Sequence, residues 1–296
     1  MTLSFLSSRN PVLPRALRAV AGCWLLALAG ALGPELALAQ LVASPPAVAS
    51  VPLRADWAVR LQADGKGSDA RGGQLLALLG SLGGTQGVAT AQDVVSWPAD
   101  GHGPYRIDST LTPRGGLALL LRRLQWTRSA QGRVQNGAPE LLQASNQKGD
   151  GPQTLVQVER QRLITREAGQ SGTDAASSQP LPAGLIDPLT LTWGYLQRPL
   201  PNRPFTAALL INAKVQTAHI VPEHVTLAWQ GKDVACTLLD AQSDQSSATL
   251  RIWLRQSDGL PLQVELGMGD RYGLDVVQTL TAEPAGLQAI APRPRD

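Results

Sequence analysis

Apolar and polar residues alternate with a period of two over much of the chain, most regularly between residues 248 and 281. Positions 250, 252 and 254 are aliphatic, and Arg251, Trp253 and Arg255 occupy the positions between and after them. Successive side chains of a strand point to opposite faces of a sheet. We therefore expect this segment to bury its aliphatic face and to present these three residues on the other face.

Two further alternating runs follow, and a turn signal precedes each of them. Ser257–Gly259 precedes Pro261–Met268, and Gly269–Asp270 precedes Leu274–Leu280. Strands joined by such short turns pair with one another in antiparallel order. The sequence therefore predicts a meander of three strands at this end of the chain.

Shorter runs of the same kind occur elsewhere, bounded by Gly, Pro, Asp and Ser. They are Trp57–Leu61, Val94–Trp97, Tyr105–Leu111, Leu117–Thr127, Thr154–Val158, Arg162–Thr165, Ala207–Lys214, His224–Trp229 and Asp233–Leu239. So many short strands predict a mainly β fold, built as a large curved antiparallel sheet or a partly closed β-barrel. The run Gln74–Leu79 fits a strand or a helix.

One segment departs from this pattern and predicts a short helix packed on the sheet. Asp187 suits an N-cap, and Pro188 suits the first helical turn. Four apolar residues fall at spacings of three, four and three, which places them on one helical face: Ile186, Leu189, Trp193 and Leu196. Trp193 is the largest of them, and we expect it to anchor the helix to the sheet.

The first 39 residues have the parts of a cleavable export signal. Three arginines precede an apolar run at Ala19–Leu32, which is shorter than the roughly 20 residues of a membrane-spanning helix. We therefore expect cleavage near Ala39/Gln40, release into the periplasm and no transmembrane segment afterwards. A lipoprotein attached at Cys23 is one alternative, but most of the apolar run follows that cysteine. An uncleaved anchor is the other.

Composition divides the mature chain into three parts. Residues 40–52 are rich in Ala, Pro and Ser and predict a flexible leader. Residues 53–281 predict a single β-rich domain, and residues 282–296 predict a disordered tail. Within the domain, Ser171–Gly184 predicts a loop between two sequence halves of the sheet.

The charge of the mature chain argues against a nucleic-acid partner. The whole chain carries a formal net charge of +3, and residues 1–39 hold three arginines and one glutamate, so +1 remains after processing. Arg128 belongs to a basic cluster with Arg122, Arg123 and Arg133, and a second cluster lies at positions 160–166. We interpret both clusters as solvated strand faces.

No combination of residues predicts a cofactor, a metal site or a catalytic centre. His219 and His224 are five positions apart with Pro222 between them, so we expect a solvent-facing turn rather than a metal site. The glycine-rich segments lack the lysine of a phosphate-binding loop, and no Gly-x-Ser-x-Gly motif occurs. Cys236, the one cysteine left after processing, is expected to be buried as a small hydrophobic residue. The sequence therefore favours a binding protein over an enzyme.

Three stretches carry sheet and turn patterns that match a known family. They are Val94–Trp97 with Pro104–Ile107, Ile186–Leu191, and Leu250–Leu254 with Leu260–Val264. In these stretches the chain resembles an uncharacterised family of exported bacterial proteins, the domain of unknown function 3108. The resemblance implies export and a β-rich fold, and it implies no activity, cofactor or catalytic residue.

Six tryptophans remain after processing, and core packing accounts for most of them. A sheet that curves around a helix also encloses space, and tryptophans at its mouth suit a lipid or a glycan. We therefore predict a periplasmic binding protein for a lipid or another cell-envelope component, with Trp193, Trp253, Arg251 and Arg255 as candidate contacts. The alternatives are an envelope hydrolase with a non-standard active site, and an assembly factor that presents Trp253, Arg251 and Arg255 to a protein partner.

Overall fold

The computed structural model describes residues 52–63, 87–98, 101–115, 118, 125–167, 176–267 and 274–287. Within these ranges the chain forms fifteen β-strands, which join in one sheet, and the short helix α1 (Pro188–Trp193). The strands are β1 Leu53–Ala63, β2 Ala89–Ser96, β3 Gly103–Pro113, β4 Trp126–Gln135, β5 Ala138–Lys148, β6 Thr154–Glu159, β7 Arg162–Glu167, β8 Ser177–Pro180, β9 Leu185–Ile186, β10 Phe205–Ile211, β11 Lys214–Trp229, β12 Lys232–Ser243, β13 Ser246–Arg255, β14 Pro261–Gly267 and β15 Leu274–Leu280.

The order of the strands requires the sheet to be strongly curved. β8 and β9 lie at its two opposite edges, yet only residues 181–184 connect them. In a flat sheet of this size, fourteen spacings of about 4.8 Å would separate the edges by about 67 Å. The steps from Pro180 to Leu185 reach at most about 18 Å. The sheet therefore coils until its edges approach each other, which makes the fold barrel-like.

The centre of the sheet joins the two ends of the described chain. β1 pairs with β2 on one side and with β15 on the other, so that Trp57 lies opposite both Ala91 and Leu280. An isolated bridge between Arg54 and Ala285 extends this join. From this centre the two halves of the sheet run outwards as meanders, antiparallel except where β9 pairs with β10.

Helix α1 lies inside the curve of the sheet. The carboxylate of Asp187 caps it: Oδ1 accepts a hydrogen bond from the backbone N–H of Thr190 at 2.9 Å, and Oδ2 accepts one from that of Leu189 at 3.3 Å. The hydroxyl groups of Thr190 and of Tyr105 on β3 are 3.1 Å apart, which ties the helix to the sheet. Trp193 is fully buried. The predicted cap, proline position and tryptophan anchor are therefore confirmed.

The structure also confirms the mainly β fold and the final meander, which consists of β13, β14 and β15. Cys236 on β12 is buried, as expected. Among the described residues, no helix has the length and apolar character needed to cross a membrane. The run Gln74–Leu79 and most of Leu117–Thr127 lie outside the described residues.

Three parts of the sequence interpretation of the strands were wrong. Strand β8 lies within Ser171–Gly184, which was predicted to be a loop. β5 is a strand of eleven residues that the sequence did not predict. The segment from His219 to His224, which was expected to form a turn, lies within the long strand β11. Pro222 is tolerated there because β10 pairs with β11 only as far as Ile220, so Pro222 occupies a stretch that pairs on one side alone.

Candidate functional site

A cavity of about 150 Å³ lies between the curved sheet and the start of helix α1. Most of its wall is apolar, with Trp57, Val156, Leu210 and Val264 among the lining residues. A smaller polar part contains Asp93 from β2 and Arg128 from β4. An apolar pocket with a few convergent polar groups is the usual form of a small-molecule site.

Asp93 is the buried acceptor at the centre of this polar part. Only 4% of its surface is exposed, and its Oδ2 accepts two hydrogen bonds, each 3.0 Å long, from the indole N–H groups of Trp57 and Trp193. Its other oxygen, Oδ1, has no hydrogen-bond partner. Ser109, which is also buried, lies beside the carboxyl group and lowers its pKa as a hydrogen-bond donor does. Asp93 therefore brings an unused hydrogen-bonding position to the cavity.

The protonation of Asp93 depends on opposing effects. Burial raises the pKa of the Asp93 carboxyl group above its ordinary value of 3.8, whereas Ser109, Trp193, Arg128 and Trp57 act in the opposite direction. Burial has the larger effect because it removes water from the charged form. The neutral form of Asp93 is thus more accessible than that of an exposed aspartate.

Arg128 brings a hydrogen-bond donor to the same cavity. Its guanidinium group lies 4.9 Å from the ring centroid of Trp126, in a cation–π arrangement. Burial lowers the pKa of Arg128, and the charges of Asp93 and Asp187 oppose that shift. Among the described residues, the guanidinium group makes neither a hydrogen bond nor an ion pair within 4.0 Å. The expectation of a solvated strand face was therefore wrong for Arg128, because its side chain lines the cavity and is only partly exposed.

Asp187 also lines the cavity, but the helix already uses both of its oxygens. Burial raises the pKa of this carboxyl group, whereas the hydrogen bonds from Thr190 and Leu189 and the charge of Arg128 lower it. The sequence interpretation gave Asp187 a structural role as the helix cap, and the structure agrees. The negative charge of Asp187 nevertheless raises the pKa of Arg128 and so favours its charged form.

The rim of the cavity contains a short polar chain between opposite parts of the sheet. The indole N–H of Trp126 donates to the Oδ1 of Asn146 on β5, and the Nδ2 of Asn146 donates to the Oδ1 of Asn212 at 3.4 Å. Asn212 lies in the turn between β10 and β11, and the ammonium group of Lys148 lies 5.3 Å from the Trp126 ring centroid. These contacts cross the gap between the two halves of the sheet.

The structure does not bring the four predicted contact residues together. Trp193 is fully buried behind Asp93. Arg251, Trp253 and Arg255 lie side by side on the opposite face of β13 from its buried aliphatic residues, as the alternation predicted. Trp253 is half-buried there.

Both arginines on that face make ion pairs within the protein. Arg251 contacts Glu265 at 2.7 Å and Asp240 at 3.7 Å. Arg255 forms a two-pronged pair with Asp258, at 2.9 and 2.7 Å, and a further hydrogen bond to Glu283. These partners hold the two guanidinium groups in place on the outer face of the sheet.

Reasoning from the sequence missed Asp93 and Arg128, although one of them left a signal. Ala89, Ala91, Asp93 and Val95 alternate on one face of β2, and all four are buried. An acid in an otherwise apolar alternating series indicates a buried polar function. Arg128 left no such signal, because the sequence predicted no strand beyond Thr127; in the structure its neighbours on that face of β4 are the partly buried Trp126 and the fully buried Ala130.

Two other classes of site, a metal centre and a reactive thiol, find no support in the described part of the chain. It contains no group of three or more histidine, cysteine or acidic residues that could hold a metal ion. Burial raises the pKa of the Cys236 thiol to about 11, so the reactive thiolate form is disfavoured at neutral pH.

Comparison with known proteins gives a likeness at the level of structure. No family model matches the chain, and no curated protein matches it. A similar solved structure is that of a beta-barrel-like protein of domain of unknown function DUF1849 from Brucella abortus, with 11% sequence identity and a TM-score of 0.41. The match covers 80% of this chain and 98% of that chain. The resemblance to the domain of unknown function 3108 therefore stays a prediction from the sequence.

Proposed function

We propose that the protein is an exported, non-catalytic binding protein that holds part of a cell-envelope molecule, a lipid or a glycan, in the cavity beside helix α1. One observation carries this proposal. The cavity combines apolar walls with two polar groups, the buried Oδ1 of Asp93 and the half-buried guanidinium group of Arg128, that lack hydrogen-bond partners among the described residues. Buried polar groups without partners cost folding free energy, and a ligand that satisfies them recovers that cost.

The two carboxyl groups in the cavity, Asp93 and Asp187, already accept hydrogen bonds within the protein, which favours binding over catalysis. An envelope hydrolase would need acids free to exchange protons with a substrate. Both oxygens of Asp187 accept hydrogen bonds from helix α1, and one oxygen of Asp93 accepts two from indole groups. The hydrolase thus remains the alternative with less support.

The assembly-factor alternative rests on the outer face of β13. Its two arginines are engaged in ion pairs within the protein, which leaves Trp253 as the main apolar group for a partner. Replacement of Trp253 by alanine, with pull-down from envelope extracts as the measurement, tests that alternative separately from the cavity.

Native mass spectrometry of protein purified from the periplasm tests the binding proposal. Phenylalanine at Ala144 would fill the cavity, because Ala144 lines it. The same replacement at Ala228, which is exposed on β11, is the matched control. We expect a bound small molecule in the wild type and in Ala228→Phe, and its loss in Ala144→Phe. A wild-type protein that carries no small molecule, and whose melting temperature is unchanged by envelope lipid and glycan extracts, would contradict the proposal.

The export signal and the family resemblance belong to the same proposal. Amino-terminal sequencing of the protein from intact cells is expected to begin at Gln40, and fractionation to place it in the periplasm. Attached lipid at Cys23, or an intact first segment in the membrane fraction, would contradict this. Membership of the domain of unknown function 3108 family is supported by the three stretches that lie on β2–β3, β9–α1 and β13–β14.

A further inference from the structure

We infer that the group held in the cavity is an uncharged hydroxylated ring, a sugar unit, whose hydroxyl groups bridge Asp93 and Arg128. This inference rests on the proposed binding function and narrows it from a lipid or glycan to a glycan. It follows from three properties of the cavity: its unpaired hydrogen-bonding groups, its balance of charge and its size.

The hydrogen-bonding groups call for a ligand that both donates and accepts. Oδ1 of Asp93 is buried without a partner, and the guanidinium group of Arg128 offers only donors. A hydroxyl group donates one hydrogen bond and accepts others, so neighbouring hydroxyl groups serve both residues. An acyl chain satisfies neither of them.

The charges around the cavity favour a neutral ligand. Asp93 and Asp187 both line the cavity with Arg128, and both carboxyl groups act on its charge. With both carboxyl groups ionised the three residues carry a net negative charge, and with Asp93 protonated they carry none. An anionic group would be attracted by Arg128 but repelled by the two carboxyl groups, and a cationic group would be attracted by the carboxyl groups but repelled by Arg128, so neither gains the advantage that hydrogen bonds give a neutral group.

The size of the cavity matches one ring. Engineered cavities of roughly 150 Å³ bind benzene, so a volume of about 150 Å³ accommodates a six-membered ring and little more. Whole drug-sized ligands occupy about 300 Å³ or more. The apolar wall of Leu210 and Val264 suits the C–H face of a sugar ring, and the rim of Trp126, Asn146 and Asn212 is where the rest of a glycan would leave the cavity.

Titrations of the full mature chain with defined probes test the inference. The probes are methyl glucoside, methyl N-acetylglucosaminide, glucuronate and octanoate, and the readouts are isothermal titration calorimetry and intrinsic tryptophan fluorescence. Fluorescence is informative because Trp57 and Trp193 both donate to Asp93. We expect saturable binding of at least one neutral glycoside and about tenfold weaker binding of glucuronate, which has the same ring with a carboxylate.

Variants connect the binding to the two residues. Asp93→Asn and Arg128→Met are each expected to weaken glycoside binding by about tenfold or more, because each removes a hydrogen bond to a charged group. Arg128→Lys keeps the charge but not the planar fork, so a similar loss from this milder variant shows that the effect is not one of folding. Arg133→Met is the matched control, since Arg133 lies on the same strand but is exposed and pairs with Glu140.

Two results would overturn the inference. The first is octanoate binding as tightly as any glycoside; the second is the absence of glycoside binding at millimolar concentration. If native mass spectrometry then still detects a lipid that Ala144→Phe loses, the proposed binding function stands and only the glycan assignment fails. If nothing is retained and no probe binds, both fail together.

Discussion

The indole rings of Trp57 and Trp193 meet edge to face, with their centroids 6.1 Å apart and their planes at 76°. Trp57 belongs to the central strand β1 and Trp193 to the end of helix α1, so this contact joins the helix to the middle of the sheet. Both N–H groups converge on one oxygen of Asp93. The three residues form a unit that fixes the helix and, with it, one side of the cavity.

Removal of one indole donor is expected to destabilise the protein. Trp193→Phe keeps an aromatic ring but leaves the buried carboxyl group with one donor fewer, so we expect a loss of about 2 kcal/mol or more in the free energy of unfolding. Trp253→Phe, at a half-buried position on the outer face of β13, is expected to cost less than about 1 kcal/mol. Urea unfolding followed by far-ultraviolet circular dichroism measures both. Equal losses in the two variants would show that the hydrogen bond from Trp193 to Asp93 does not contribute more to stability than an ordinary half-buried contact.

The dependence of stability on pH should reveal the buried carboxyl group of Asp93. Because its folded-state pKa is raised above 3.8, its stabilising contribution is complete below that pH and is lost as the pH rises through the folded-state value. Asp93→Asn removes this titration. The unfolding free energy of the variant is therefore expected to fall less than that of the wild type between about pH 4 and about pH 8.

Urea titrations at constant ionic strength measure that difference. Asp187 and Glu265 also have raised pKa values, but they are present in both proteins, so the difference between the two curves isolates Asp93. Parallel curves over the whole range would contradict the assignment.

The turn that contains Gly259 should be sensitive to a single methyl group. Gly259 has a φ of +71°, and a Cβ there would lie 2.0 Å from the backbone oxygen of Tyr195, just after helix α1. Gly231 has a nearly identical φ of +73° with nothing within 4 Å of a Cβ. Gly231→Ala should therefore cost only the backbone strain of about 1–2 kcal/mol.

Gly259→Ala adds a steric clash to the same strain, so we expect it to cost about 1–3 kcal/mol more than Gly231→Ala. Thermal unfolding of the two variants side by side gives the comparison. A similar melting temperature for both would mean that the turn moves freely away from Tyr195.

The thiol of Cys236 should react only after unfolding. It is buried, and burial raises its pKa to about 11, so both access and thiolate formation are suppressed at neutral pH. We expect iodoacetamide to leave Cys236 unmodified in the native protein and to alkylate it completely in urea, as measured by peptide mass spectrometry. Rapid alkylation of the native protein would show that β12 opens locally.

Sequence patterns predicted the elements whose determinants are local. The bounds of β15 were predicted as observed, because a turn signal precedes the run and Leu274, Val276 and Leu280 recur at strand spacing. The Asp187–Pro188 pair defined the start of helix α1 in the same way. β5 escaped prediction because only Leu141 and Ala144 are buried along it, and its pairing with β4 and β6 rather than its own pattern makes it a strand.

The candidate site depends on contacts that no local pattern encodes. Asp93 and Arg128 lie on strands separated by β3, and Trp193 arrives from a helix that follows nine strands. The coiling of the sheet around the helix brings Trp193 to Asp93, which lines the cavity together with Arg128. Core packing was predicted for most tryptophans, and contact with a ligand for some. The hydrogen bonds from Trp57 and Trp193 to Asp93 could not be predicted, because the alternation of β2 shows that Asp93 is buried but not what it contacts.

The pairing of β1 with β15 has a consequence for how the chain is made. Synthesis proceeds from the amino terminus, so β1 emerges first among the described strands and its partner β15 emerges last. Until then, the middle of the future sheet is an open edge with unpaired backbone groups, which invites pairing with other chains. A chain that ends before Leu274 lacks β15, so this edge of β1 stays unpaired. The centre of the sheet therefore forms only in a chain that extends as far as Leu280, because β15 supplies the second partner of β1.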